Sequence, residues 1–114
     1  MRSRTPLAAL LLALAACTSA GAPGGRDVLR QVDRAKMTQV ESALSSAARG
    51  EEAHMSTQGS YTTDVRALGA NPPADVNLTV IRADATQFCI EATYVGLDGT
   101  WHVTNSSATA EGSC

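Results

Sequence analysis

Between Arg26 and about Ser56 no proline interrupts the chain, and apolar or small residues return at helical spacing. Val28, Val32, Val40, Leu44 and Ala48 form one row, with Leu29, Ala43 and Ala47 beside it and Lys36 in the same row. That period predicts one amphipathic helix of about thirty residues. A helix so long commits much of a 114-residue chain to one element. Its stripe is stable only against an apolar surface supplied by the rest. The exposed positions are read as Arg, Asp, Gln, Glu and Ser. Gly50 is expected to cost about 1 kcal/mol against Ala and to mark a bend. Gln58-Gly59-Ser60 is the expected stop.

The residues after this stop must therefore supply that surface. Asp64–Leu68 reads as a short helical turn that packs Leu68 back on the main helix, ended by Gly69-Ala70-Asn71-Pro72-Pro73. Val76, Leu78 and Val80 alternate with Asn77 and Thr79, the pattern of a half-buried strand. Ala83-Asp84-Ala85-Thr86 is a loop. Phe88, Ile90, Ala92 and Tyr94 then alternate with Cys89, Glu91 and Thr93, placing Cys89 on the face away from the core. Gly96-Leu97-Asp98-Gly99 is the expected hairpin loop, and Trp101 and Val103 lie on the last clear strand. Trp101 is expected in the core, because only four aromatics are available to fill it. The tail from Asn105 to Cys114 is rich in Ser, Thr, Ala and Gly and reads as a loop. The fold class is α+β: one long N-terminal helix packed on a small three- to four-stranded antiparallel sheet, closed by a C-terminal disulfide loop.

The first residues speak of export. Arg2 and Arg4 precede an apolar run from Leu7 to Ala16, too short at about 15 Å to cross a ~30 Å hydrocarbon core. Leu14-Ala15-Ala16-Cys17 resembles the lipobox of bacterial lipoproteins. That resemblance implies diacylglycerol on the Cys17 thiol and cleavage just before it. An ordinary secretory signal with an incidental Cys is the alternative. The expected organisation is a signal peptide at 1–16, a lipidated Cys and flexible tether at 17–25, and one domain at 26–114. Assigning Cys17 to lipid leaves Cys89 and Cys114, which in an oxidising compartment most simply form one disulfide. The competing arrangement is a free Cys114 thiol that makes intermolecular dimers.

The order of the elements, with particular residues in it, resembles the soluble domain of type IV pilins and the pseudopilins of type II secretion. The matching residues are Gln58-Gly59-Ser60-Tyr61-Thr62-Thr63-Asp64, then Leu68, Phe88-Cys89-Ile90-Glu91-Ala92, Trp101-His102 and Gly112-Ser113-Cys114. Pilins carry about twenty further apolar residues at the start of the helix, and these pack the filament core. Here the lipobox and tether stand in their place. The resemblance therefore implies a pilin-like head held on a membrane by lipid, with protein partners in the cell envelope.

Composition and spacing exclude several chemistries. The whole chain carries a net charge of −2 and its leader only arginines, so the remainder is more acidic still. With one Lys, it lacks the clustered cations that nucleic-acid binding needs. Arg26, Arg30, Arg34 and Lys36 could rest on anionic headgroups, or simply form a solvated helix face. His54 and His102 fall on different elements, so no metal site is expected. Glu51 and Glu52 are adjacent on the helix and diverge by about 100°, which argues against a carboxylate dyad. No catalytic residue and no cofactor is expected. Asn77-Leu78-Thr79 and Asn105-Ser106-Ser107 match the N-glycosylation acceptor triplet. A second functional class is a lipoprotein that holds a small ligand or surface glycan on loops 83–87, 95–99 and 105–113.

Overall fold

In the computed structural model, residues 25–114 are described, with side chains from Leu29 onward. Cys17, the leader and nearly all of the tether therefore lie outside the described residues. Residues Val32–Cys114 form one unit and Met1–Gln31 another, of which only the opening of the helix is described.

Helix α1 spans Gly25–Gln58. It ends where Gly59 takes a φ of +78°, its N–H still bonded to Met55 O at 2.9 Å. Glycine reaches that left-handed conformation without the steric cost that a Cβ imposes. A 3₁₀ turn at Val65–Leu68 comes next, capped by the Asp64 carboxylate accepting from the Arg66 N–H. Four strands complete the chain: β1 (Val76–Ala83), β2 (Phe88–Tyr94), β3 (Leu97–Thr104) and β4 (Ser107–Glu111). They pair in sequence order, each antiparallel to the next. The long helix packs on this sheet, so the expected α+β architecture is the observed one.

The core is the helix stripe Val40, Ala43, Leu44 and Ala47 against Val76, Phe88, Ile90, Ala92, Trp101 and Val103, with Leu68 beside it. Trp101 is buried, as expected. The stripe ends sooner than its sequence period does. Leu29 is 67% exposed and Val32 46%, whereas Val40 and Leu44 are fully covered. A helix of 34 residues is about 51 Å long and a strand of seven about 23 Å, so such a sheet covers about half the helix. Lys36, next above Val40 in that row, sets its ammonium 5.7 Å from the centroid of the Tyr94 ring. Its stem thus lies on apolar surface while its charge meets an aromatic face.

Gly50 is a point of close contact between the helix and the 3₁₀ turn. A Cβ there would come within 2.8 Å of the Leu68 Cα and Cβ. Only glycine lets the 3₁₀ turn sit so close, and Leu68 does pack back on the main helix.

Two further expectations are corrected. The β2–β3 turn is Val95-Gly96, with Tyr94 paired to Leu97 and Gly96 at φ +82°. Asp98 is therefore a strand residue and needs no positive φ. The tail 105–113 is not a loop: Thr104 pairs with Ser107 across Asn105-Ser106, and Ser107–Glu111 adds a fourth strand. Backbone hydrogen bonds to β3 order these small residues, whose side chains supply little packing.

Candidate functional site

The sequence places a disulfide at Cys89 and Cys114, and the two are bonded within the chain, Cα to Cα 6.1 Å. Strand alternation sets Cys89 opposite Phe88 and Ile90, on the sheet face away from the helix, beside Arg82 and Thr104. Cys89 is nonetheless buried, 1% exposed. After β4 the chain turns back over this face. Gly112 N–H donates to Thr100 O at 2.7 Å, and Cys114 N–H donates to Glu91 Oε2 at 2.7 Å. His102 Nδ1 lies 2.8 Å from Gly112 O, and because a carbonyl only accepts, this nitrogen carries the proton. Register, disulfide and three polar bonds thus fasten the tail onto the open face.

Neither histidine is placed as a metal ligand. His54 Nδ1 donates to Ser60 O at 2.6 Å, closing the helix end onto the following loop. Among the described residues no group of three His, Cys, Asp or Glu side chains could hold a metal ion. Asn105, in the second triplet, uses both ends of its amide. It accepts from Phe88 N–H at 3.1 Å and donates to Thr86 O at 3.4 Å. Asn77, in the first, stays exposed on β1. The same contacts bring loop 83–87 and the turn 105–106 together at one end of the sheet, while 95–96 turns at the other. The Asp84 carboxylate orders that first loop by accepting from Thr86 N–H and Gln87 N–H, and these bonds hold it below the ordinary range.

Glu51 is the residue that sequence reasoning misplaced. It is completely buried, not solvated. Oε1 accepts from Thr62 N–H at 2.8 Å and Oε2 has no partner. Beside it Tyr61 donates to Glu52 Oε1 at 3.2 Å and stands edge-on to Phe88, ring centroids 4.9 Å apart. Burial pushes the Glu51 carboxyl above its ordinary value; the Thr62 N–H and then His54 oppose this, and Glu52 adds to it. The signal was present in the spacing, since Glu51 falls four residues after Ala47 and seven after Leu44. An acid whose folded value is raised contributes stability that is complete below its unfolded value and fades as pH rises through the folded one. Glu51→Gln keeps an acceptor for Thr62 and removes the charge. Its melting temperature relative to the parent is therefore expected to rise with pH across that window. A parallel pair of melting curves from pH 4 to 9 would refute the buried carboxylate.

No described helix is long and apolar enough to cross a membrane. No family model matches the chain, and comparison with curated proteins gives no match.

Proposed function

We propose that this chain is an exported lipoprotein, anchored by an acylated Cys17 to the outer face of the cell membrane or to an outer membrane. Its domain at 26–114 is pilin-like and serves as a structural or interaction component of a cell-envelope, secretion or pilus-type assembly. The observation that carries this reading is the long helix on an antiparallel meander whose C-terminal tail is clasped by Cys89–Cys114. Leu14-Ala15-Ala16-Cys17 supports the anchor.

Intact-mass measurement on the membrane fraction is expected to find a mature chain that begins at a diacylglycerol-modified Cys17. Cys17→Ser is expected to leave the precursor uncut or to release the domain. A soluble wild-type chain beginning elsewhere overturns the lipoprotein reading. Isolation from intact membranes tests the interaction role, which predicts co-purified envelope-assembly proteins; a bound small molecule with no protein partner would favour ligand capture.

A further inference from the structure

β1 is one edge of the sheet, paired only with β2. Val95 N–H donates to Asp75 O, and the register Val76↔Tyr94 continues from there. In an antiparallel ladder alternate residues exchange bonds with the partner, so Asn77 and Thr79 face β2. Val76, Leu78 and Val80 then direct their N–H and C=O groups outward. Val76 shows this directly, its N–H donating to Pro73 O at 3.0 Å. Leu78 and Val80 have no such outward partner among the described residues. A bulge between Val80 and Arg82 ends the regular edge.

A groove of ≈ 480 Å³ runs along this edge, between Val76–Thr79 and a wall that includes Val65, Arg66 and Ala70. Four consecutive strand residues line it. Successive side chains point to opposite faces, so a hollow touching all four runs along the edge of the strand and not either face. Its walls are polar and apolar in about equal measure, and one cation, Arg66, stands at it. Arg66 and Arg82 are the only cations from Gly59 to Cys114, where six carboxylates share the surface.

We propose that this edge is a docking site for an extended, acidic segment of a partner protein, which adds as a fifth strand. Free donors and acceptors at Leu78 and Val80 call for a backbone in extended form. The bulge limits the pairing to about five residues, and an acid on the guest answers Arg66. A second copy of β1 fits less well, because its one charge within Val76–Ala83 is Arg82, of the same sign as Arg66, and its nearest acids, Asp75 and Asp84, lie beyond the strand. The docking edge belongs to the domain alone and stands whether or not Cys17 is lipidated.

The test uses the full chain labelled with nitrogen-15 and a synthetic heptapeptide of alternating Val and Thr with Glu at both ends. Titration is expected to shift the Leu78 and Val80 amide resonances and to slow their hydrogen exchange by at least about tenfold. Arg66→Glu, at an exposed position, is expected to weaken binding about three- to tenfold. A peptide with Lys in place of Glu is expected to bind more weakly by a similar factor. Shifts centred on the tail at Cys114, no shift at millimolar peptide, or equal binding by the Lys peptide would each overturn the assignment. So would a dimer whose Leu78 and Val80 amides are already protected without peptide, since a second copy would then own the edge.

Discussion

Leu44→Ala is expected to destabilise the domain by about 2–5 kcal/mol, the cost of deleting a buried leucine side chain and leaving a cavity. Leu44 is fully buried, in the middle of the helix stripe and against the sheet. Ala43 and Ala47 flank it and are too small to fill the space. Arg49→Ala, on the exposed side of the same helix, should change stability by no more than about 0.5 kcal/mol. Val32→Ala is the sharper control. Sequence period puts Val32 in the same row as Leu44, but it is 46% exposed. Its loss should resemble that of Arg49 and not that of Leu44. Denaturant unfolding of the three variants decides the matter, and a Val32 loss as large as the Leu44 loss would refute this packing.

Cys114→Ser should lower stability by about 3–4 kcal/mol in the chain-entropy account, given a sequence separation of 25. For a domain of this size that is a fall of more than about 10 °C in melting temperature. The bond does more than shorten the unfolded chain. It holds the turn after β4 over the open face, where Cys114 N–H meets Glu91 and Gly112 O meets His102. With the clasp gone, amides of Ser107–Glu111 should exchange faster than those of β2, because β4 is an edge strand with exposed, small side chains. Non-reducing peptide mapping of the parent protein should find the Cys89–Cys114 peptide. A Cys114–Cys114 crosslink there, or an unchanged melting temperature in the variant, would count against a structural clasp.

Much of this fold was legible because local pattern and tertiary packing agree. The helix runs Gly25–Gln58 where its period foretold Arg26 to about Ser56. Phe88, Ile90 and Ala92 face the helix as their alternation required, and Trp101 fills the core. The fourth strand was not legible. Ser107-Ala108-Thr109-Ala110-Glu111 has no apolar alternation to reveal, and its order comes from hydrogen bonds to a strand already in place. The hairpin turn was misjudged for a related reason: Asp98-Gly99 carries a turn signature, but the register that pairs Tyr94 with Leu97 spends it inside β3.

The sequence alone determined the long helix, the first three strands and the face of each that turns inward. These depend on spacing along the chain, which is local. Only the tertiary structure decided how far along α1 the buried stripe extends, because a sheet some seven residues long covers only part of a 34-residue helix. It decided that Gly50 is a point of contact with Leu68, since closeness between distant segments leaves no mark on either one. And it decided that Glu51 is sealed beneath the loop at Thr62. A carboxylate on an apolar stripe can be read from spacing, but its burial depends on which residues later fold over it.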